Sequence, residues 1–520
     1  MLRSYLLLPL AFVLSCSSDN APSAAEVPDL PEGRLELPAC EQSAGSLSPL
    51  TTRCQQIVDA EGRVVFLHGI NARVEGVFDI ALEDITFDGI DYFDRVPLEP
   101  IPAFLPEDAQ RIRQLGFNFL RLPMQWSGVE PNDESPQVYD VAYLDRVAEI
   151  VDHCRAAGLW VLLDFHQDAY SKEIGEDGAP LWAIQPPPPT LLEGPLDDLA
   201  SRRTSPAVLA AWTTFFDAPE PGPTLRQRFA QMAAFVAARF EGDETVVGLE
   251  IFNEPQPFGQ GVFETDIANG QIHPFNIEVA EAIRNVDPNR LVFFEPPVVP
   301  RNFFDESGLA EAPFPVDGAV YSPHVYTISF SDPDAAERNT FTRATLEPGN
   351  ESAYLEAVSW GTPLVITEFG YDPNGIRAEE YLNLQFDLHA EFGAGDALWL
   401  WKEESQGRWG LHDYEDETGD WSERPGVRRI VSRPKPEAVA GQPQTWRYDP
   451  TTQVLEIWFR GADAVDAPSI VYVPAPEDYV EDYVVSCDGL PIEFERDSTT
   501  GRVEVPCNGG GQRYIRVAPR

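Results

Sequence analysis

Basic residues are scarce in this chain of 520 residues, and lysine is almost absent. Lysine occurs only as Lys172, Lys402 and Lys435, and 85 acidic residues stand against 37 basic ones, which gives a formal net charge of −48. A surface with this excess of negative charge repels the phosphate backbone of DNA and RNA. The composition therefore predicts no nucleic-acid partner and indicates a solvated acidic surface.

Long apolar runs are missing beyond the first residues. Residues 1–16 are typical of an export signal, with Arg3 ahead of an apolar stretch from Leu6 to Leu14 that is too short to span a bilayer as a helix. The stretch ends in Val-Leu-Ser-Cys, which resembles the cleavage box of bacterial lipoproteins. We therefore predict lipidation of Cys16 and an exported protein that associates with the membrane through this anchor. Ordinary secretion is the alternative.

Cysteine is also sparse, with six residues in the whole chain. Compartments outside the cytoplasm are oxidising, so neighbouring cysteines of an exported protein are plausible disulfides. We expect the bridges Cys40–Cys54 and Cys487–Cys507, and a buried free thiol at Cys154 inside an amphipathic helix. No cysteine and histidine spacing fits a structural zinc site, so no metal is predicted.

Apolar runs and amphipathic stretches alternate regularly between about residue 55 and residue 430. Eight short apolar runs, the first over Val64–His68, have the continuous character of parallel strands buried on both faces. Eight strands with intervening helices predict an α/β fold, the (β/α)8 TIM barrel. Farther on, short alternating segments between turn residues predict an all-β sandwich. The predicted division is an export signal (1–16), a flexible linker (17–34), a barrel domain (35–435) and a C-terminal sandwich domain (436–520).

Two insertions, 168–222 and 255–275, follow predicted strands. Loops of this length in a compact domain are usually functional, and barrels carry their sites on the face where the strands end. We expect these insertions to form a substrate cleft or a lid; surface loops without a function are the alternative.

Two glutamates mark the ends of two predicted strands. Glu254 ends Val-Gly-Leu-Glu-Ile-Phe-Asn-Glu and follows Asn253, and Glu368 ends Pro-Leu-Val-Ile-Thr-Glu. A retaining glycosidase needs such a pair, because one carboxyl protonates the leaving oxygen while the other attacks the anomeric carbon, with about 5 Å between them. We predict Glu254 as the general acid/base and Glu368 as the nucleophile, facing each other across a sugar-sized gap.

Further polar and aromatic residues follow the other strands. A guanidinium can hold a carboxylate ionised, a tyrosine hydroxyl can position the nucleophile, an imidazole can tune the acid, and an indole offers a flat apolar floor for a sugar. The pairs on strands six and eight are two residues apart, so extended chain would place each pair on one side. The predicted substrate-binding residues are Arg121, His166, Asp168, Asn253, His324, Tyr326, Trp399 and Trp401. Barrel core is the alternative for Trp399.

Taken together these motifs resemble glycoside hydrolase family 5, and within it the endoglycoceramidases. The resemblance is carried by Asn-Glu-Pro at 253–255, Thr-Glu-Phe-Gly at 367–370, Leu-His-Gly-Ile-Asn at 67–71 and Asp-Phe-His-Gln-Asp-Ala-Tyr-Ser at 164–171. It implies cleavage of the β-glycosidic bond between a glycan and ceramide or a similar lipid, by two glutamates and without a metal or organic cofactor. It also implies that Asp168 and Asn253 bind the sugar.

One position departs from that resemblance. The loop after the first strand carries Arg73 where a lysine contact to the glycan is expected, and the two cations are not equivalent. The glycan preference therefore stays open. The alternative function is a family 5 β-glucosidase or endo-β-glucanase that acts on oligo- or polysaccharide; a non-catalytic sugar-binding protein is a further alternative. We expect a monomer whose partner is a glycolipid or another β-glycoside.

Overall fold

A computed structural model gives the fold of the chain. It describes residues 27, 28, 30, 31, 50–78, 85–92, 101–191, 199–217, 224–256, 268–298, 313–331, 335–404, 409–415 and 417–520. The predicted export signal with Cys16, most of the predicted linker, and Cys40 lie outside the described residues. Within the described part of the chain, we find no helix of the length and apolar character that a membrane span requires.

Eight parallel strands form the central sheet, which confirms the predicted barrel. In chain order they are β1 (His68–Asn71), β2 (Phe119–Gln125), β3 (Trp160–His166), β4 (Val246–Glu250), β5 (Leu291–Phe294), β6 (Ala319–Tyr321), β7 (Val365–Phe369) and β8 (Gly395–Leu398). Consecutive strands from β1 to β6 are paired, β7 pairs with β8, and β8 pairs with β1. Single bridges, Tyr321 to Leu364 and His324 to Glu368, close the ring between β6 and β7.

Helices alternate with these strands and pack on them through one apolar cluster. They include α1 (Pro106–Gln114), α2 (Val141–Ala157), α3 (Leu225–Arg239), α4 (His273–Val286), α5 (Arg343–Trp360), α6 (Ala378–Phe392) and α7 (Pro425–Val431). Helix α2 shows why they begin and end where they do: Asp140 accepts two backbone N–H groups at its start, and Gly158 ends it with φ of 76°. Cys154 lies in α2 as a buried free thiol, as predicted.

A separate apolar cluster fills the barrel near the beginnings of the strands. Its members include Phe119, Leu162, Val247, Phe293, Val320, Val365 and Ala397. Phe119 fits because Gly69 has no side chain; a Cβ there would lie 2.3 Å from the phenyl ring. This apolar floor leaves the carboxyl ends of the strands for polar groups, the face on which barrels carry their sites.

Two antiparallel sheets form the C-terminal part, as the alternating segments predict. One contains Gly441–Asp449, Val454–Gly461, Gly511–Pro519, Tyr483–Cys487 and Leu490–Pro491, and the other contains Lys435–Val439, Ser469–Tyr472 and Arg502–Val505. Side chains of both sheets share one apolar core. A disulfide links Cys487, in the first of these sheets, to Cys507 in the segment that follows Arg502–Val505.

The first strands of the described chain belong to the sandwich. Leu50–Arg53, Gln56–Asp59 and Val64–Val65 extend its second sheet, where Val64 pairs with Val439. The prediction of a first barrel strand over Val64–His68 is therefore wrong, because β1 begins at His68. The apolar run misleads since it passes without a break from the sandwich sheet into the barrel. The predicted domain boundaries stay a prediction.

Candidate active site

The polar residues expected from the strand ends meet at the carboxyl ends of the barrel strands. Glu254 follows β4, His324 follows β6, and Glu368 lies in β7. Side-chain atoms of the three residues lie within 4.8 Å of one another, and all three residues are buried. The two glutamates therefore lie together, with carboxylate oxygens within 4.8 Å of each other, a spacing that fits the separation of about 5 Å in a retaining pair.

Arg121 organises the carboxylates beneath this pair. The side chain is fully buried, and its guanidinium donates to Glu368 Oε1 at 2.6 Å, to Asn253 Oδ1 at 2.8 Å and to Glu250. It also lies 3.0 Å from Asp164. A guanidinium can serve several acceptors because its N–H groups point outward in a fixed fork. Arg121 therefore ties four strands together and fixes the orientation of the Glu368 carboxylate.

The Glu368 carboxyl is under opposing influences. Burial raises its pKa above the usual value, His324 and Arg121 lower it, and Glu254 raises it. Its Oε2 accepts the Tyr326 hydroxyl at 2.9 Å, and its Oε1 accepts from Arg121. These hydrogen bonds stabilise the ionised carboxylate, which is the form that a nucleophile requires.

His324 lies between three carboxylates. Its Nδ1 is 2.9 Å from Glu254 Oε1 and 3.4 Å from Glu368 Oε2, and its Nε2 is 3.3 Å from Glu295 Oε1. Burial lowers the pKa of the imidazole, but Glu295 and Glu368 outweigh burial and raise the pKa well above its usual value. Both ring nitrogens thus face carboxyl oxygens, which favours the protonated form of the imidazole.

Two side chains that are not among the predicted site residues fix the backbone at Glu254. Gln167 donates through Nε2 to the carbonyl oxygens of Asn253 at 2.7 Å and Glu254 at 2.8 Å. Glu295 accepts the backbone N–H of Glu254 at 3.1 Å. Glu254 has φ of 43°, a conformation that a non-glycine residue keeps only when its surroundings hold it. The signal for Glu295 was present, since it directly follows the predicted fifth strand in Phe-Phe-Glu-Pro.

His166, Asp168 and Trp399 form one side of the site. His166 Nδ1 is 2.5 Å from Asp164 Oδ2, and burial lowers the pKa of His166 to about 4, so the ring is neutral at neutral pH. Its Nε2 faces Asp168 at 3.8 Å. The rings of His166 and Trp399 stack with centroids 5.9 Å apart, and Trp399 is only partly buried. Part of this indole is therefore accessible, as a sugar platform requires.

Trp401 points away from this side, which contradicts its prediction as a substrate-binding residue. The residue is 2% exposed, its Nε1 donates to Asp108 in α1 at 3.1 Å, and its ring packs on His412 with centroids 4.4 Å apart. Side chains two apart share a side only while the chain stays extended. Strand β8 ends at Leu398, ahead of both tryptophans, so their spacing does not keep the two rings together.

A group of buried charges lies next to Asp168. Arg73 is 3.7 Å from Glu176 and 3.5 Å from Glu403, and it lies over the ring of Phe78. Burial raises the pKa of Glu176 to about 7, and the charge of Asp168 contributes to this shift. The position where the family resemblance expects a lysine is thus an arginine between two carboxylates.

One cation reaches the site from the long insertion after β3. Arg203 is the last residue of the short helix Leu199–Arg203, its Nη2 contacts Asp168, and the same atom lies 2.7 Å from Glu254 Oε2. The sequence predicted a cleft or lid in this insertion without singling out a residue. The contact connects the insertion directly with the predicted acid/base.

Two family descriptions match the chain in succession. Residues 104–405 match "Cellulase (glycosyl hydrolase family 5)", and residues 433–517 match "Glycoside hydrolase family 5 C-terminal domain". The chain belongs to glycoside hydrolase family 5. The resemblance seen in the sequence motifs is thereby confirmed, and the second match coincides with the observed sandwich.

Similar proteins from this family extend over most of the chain. Endoglycoceramidase I of Rhodococcus hoagii is 27% identical over 483 residues, which cover 89% of this chain and 86% of the relative. Endo-glycoceramidase II from Rhodococcus sp., solved as a lactosyl-enzyme intermediate, is 26% identical with a TM-score of 0.71. The match covers 89% of this chain and 99% of that chain. The structure of its ganglioside GM3 complex is also 26% identical, with a TM-score of 0.72, and the match covers 90% of this chain and 100% of that chain. Together with the carboxyl spacing, these matches identify the family 5 chain as a retaining glycosidase.

Proposed function

We propose that the chain hydrolyses the β-glycosidic bond between a glycan and ceramide or a similar lipid aglycone, with Glu254 as acid/base and Glu368 as nucleophile. The relatives named above are endoglycoceramidases, and one was solved with ganglioside GM3. The observation that carries the proposal is the buried group of Glu254, His324 and Glu368, whose side-chain atoms lie within 4.8 Å of one another. Double displacement requires two carboxyls at this spacing.

In the first half-reaction Glu368 attacks the substrate. A carboxylate oxygen of Glu368 bonds to the anomeric carbon as the bond from that carbon to the lipid oxygen breaks, and protonated Glu254 gives its proton to the departing oxygen. The products are a glycosyl ester of Glu368 and the free lipid alcohol. Arg121 and Tyr326 hold the attacking carboxylate in place through their hydrogen bonds.

In the second half-reaction water replaces the ester. Glu254, now a carboxylate, takes a proton from water as the water oxygen bonds to the anomeric carbon and the ester bond to Glu368 breaks. The glycan leaves with its original anomeric configuration. Glu368 is again a carboxylate and Glu254 is again protonated, so the cycle closes.

Aromatic side chains extend from the nucleophile to the surface, which supports an apolar aglycone. The ring of Tyr326 lies 4.8 Å from that of Phe330 and 5.7 Å from that of Trp409, and the last two stack at 5.2 Å. Phe330 is 56% exposed. Exposed apolar surface beside a polar site is typical of a place where an apolar ligand binds.

Changing this aromatic patch is expected to separate lipid from soluble substrates. We expect Phe330→Ser to lower kcat/KM for lactosylceramide in detergent by roughly tenfold, since lost apolar contact is worth on the order of 1.5 kcal/mol. Turnover of an aryl β-glucoside, which has no lipid chain, is expected to stay the same. Leu355→Ser, at a 55% exposed position of α5, is the matched control. Equal losses on both substrates would show that the patch does not recognise lipid.

Incubation with defined substrates tests the proposed reaction. Glucosylceramide, lactosylceramide, a ganglioside, cello-oligosaccharides and an aryl β-glucoside are each mixed with the protein, and the products are separated. Release of an intact glycan together with ceramide is the expected result. Hydrolysis of the soluble glycosides alone would favour a β-glucosidase or an endo-β-glucanase, the alternative that accords with the description of the matched barrel family.

We also propose that the protein is exported, as a lipoprotein of the cell envelope anchored at Cys16 or in secreted form, and that it is a monomer. The N-terminal sequence pattern supports export, as does the Cys487–Cys507 disulfide, because disulfides persist in oxidising compartments.

In bacterial cells fed labelled palmitate, we expect label in the wild-type protein and none in Cys16→Ser. Label in neither protein would rule out the anchor, and light scattering would test the monomer.

A further inference from the structure

Both carboxylate oxygens of Glu254 lie beside cationic donors. Oε1 is 2.9 Å from His324 Nδ1, and Oε2 is 2.7 Å from Arg203 Nη2. A carboxyl that carries a proton must turn one oxygen into a donor, which two facing cations oppose. The arrangement therefore suits the carboxylate form of Glu254, which the second half-reaction needs. The first half-reaction requires one of the two contacts to open.

The two cations are held very differently. The side chain of His324 is 1% exposed and lies at a strand end between Glu295 and Glu368 as well as Glu254. Arg203 belongs to the insertion, its side chain is 17% exposed, and it contacts Asp168 in addition to Glu254. Arg203 can leave Glu254 and keep a carboxylate partner, whereas movement of His324 would leave buried charges without their cation.

We propose that Arg203 is a positioning residue that contacts both Glu254 and Asp168 in one part of each catalytic cycle and Asp168 alone in the other. In contact with Glu254, it holds the carboxylate that accepts a proton from water. In contact with Asp168 alone, it leaves Oε2 of Glu254 able to carry the proton that the departing aglycone receives. This inference rests on the proposed role of Glu254 and adds no bond-making step to double displacement.

The guanidinium stays charged in both positions, because arginine does not lose its proton in proteins. Burial lowers its pKa, but Asp168 and Glu254 outweigh burial and raise the pKa above its usual value. The charge therefore moves with the side chain, and the two carboxylates compete for it. When a substrate hydroxyl or the lipid oxygen approaches Glu254, Asp168 provides the alternative partner within the same site.

Other groups around Glu254 remain when Arg203 is replaced. They are His324, Tyr326, Glu295, Glu368, Asp164 and Asp168, with Arg121 beneath them. Four of these neighbours are carboxyls. Loss of the Arg203 cation therefore makes protonation of Glu254 easier, so that its titration moves to higher pH.

The pH dependence of the two half-reactions tests the proposal. With 2,4-dinitrophenyl β-glucoside the leaving group departs without a proton, so the second half-reaction limits turnover and needs ionised Glu254. With phenyl β-glucoside the first half-reaction limits turnover and needs protonated Glu254. We measure kcat of Arg203→Gln as a function of pH with both substrates. The acidic limb of the pH–rate profile for 2,4-dinitrophenyl β-glucoside and the basic limb of the profile for phenyl β-glucoside are both expected to move to higher pH. The expected shift is about one pH unit, the scale of a lost close ion pair.

Two companion variants separate this role from a structural one. Arg203→Lys is expected to restore part of both shifts because it keeps the charge. Arg202→Gln is the matched control, since the neighbouring Arg202 donates to the Gly175 carbonyl at 3.1 Å, and it is expected to leave both limbs in place. Loss of kcat in Arg203→Gln at every pH with unmoved limbs would overturn the proposal. Failure of the proposed function would appear instead in the wild type, as no release of ceramide from any of the glycolipids, whatever the pH limbs on the aryl glucosides do.

Discussion

Glu368→Gly is expected to lose turnover of every β-glycoside by a factor on the order of 10⁶, the scale seen when a covalent nucleophile is removed from another enzyme class. The reason is geometric: Glu368 carries the carboxylate that Arg121 and Tyr326 aim into the site through hydrogen bonds of 2.6 Å and 2.9 Å. Initial rates with aryl β-glucoside and lactosylceramide measure the loss. Substrate binding to the variant is expected to persist, since the sugar contacts remain.

Azide supplies the control for the Glu368 variant. Glycine leaves a space beside the anomeric carbon that a small anion can fill, and attack from that side gives an α-glycosyl azide from a β-glycoside. Recovery of turnover with this product assigns Glu368 as the nucleophile and shows that the variant is folded. Unchanged turnover without azide, or a β-glycosyl azide, would contradict the assignment.

Glu254→Ala is expected to lose activity in proportion to how much the leaving group needs a proton. Lactosylceramide releases a poor leaving group, so kcat/KM is expected to fall by about 10²–10⁴, the usual contribution of general acid catalysis. Dinitrophenol leaves unaided, so its first half-reaction is expected to stay fast while the second becomes slow without a base. A burst of dinitrophenolate and the mass of a glycosyl-enzyme measure this imbalance.

Azide is also expected to restore turnover of the Glu254→Ala variant, with a product that identifies the role of Glu254. Azide needs no general base, so it is expected to release the accumulated glycosyl-enzyme of Glu254→Ala as a β-glycosyl azide. Equal losses on lactosylceramide and on dinitrophenyl β-glucoside, with no burst, would remove Glu254 from the acid/base role. The opposite configurations of the two azide products tell the two glutamates apart.

The free-energy cost of burying charged side chains supports the assignment of Glu254 and Glu368 to an active site. Arg121 is fully buried, and carboxylates of Asp164, Glu250, Glu295 and Glu368 surround it. Replacing buried ion pairs by apolar residues is often neutral or stabilising, so stability alone does not explain such a concentration. Perturbed charges gathered in one cleft are instead typical of an active site. The charged cluster is therefore consistent with catalysis at this end of the barrel.

Part of the site could be predicted from the sequence because the barrel topology brings residues at the carboxyl ends of the strands to one face. Parallel strands all end on one face, so Glu254, His324 and Glu368 come together although they lie far apart in the chain. Glu295 could have been found by the same rule. Trp401 could not be placed, because the alternation rule ends where β8 ends, at Leu398. The apolar run Val64–His68 led to a wrong first strand for a related reason. Periodicity shows that a residue is buried but not whether it is buried in the barrel or in the sandwich.

The sequence by itself determined the eight-stranded barrel, the following sandwich, the glutamate pair and most of the polar residues around it. These features depend on local patterns and on the fixed direction of parallel strands. Only the tertiary structure decided that His324 lies between three carboxylates, that residues 50–65 extend the sandwich, and that Arg203 contacts Glu254. Such contacts join residues that no repeat or spacing relates, because they depend on how an irregular loop or a connecting segment folds back on the finished barrel.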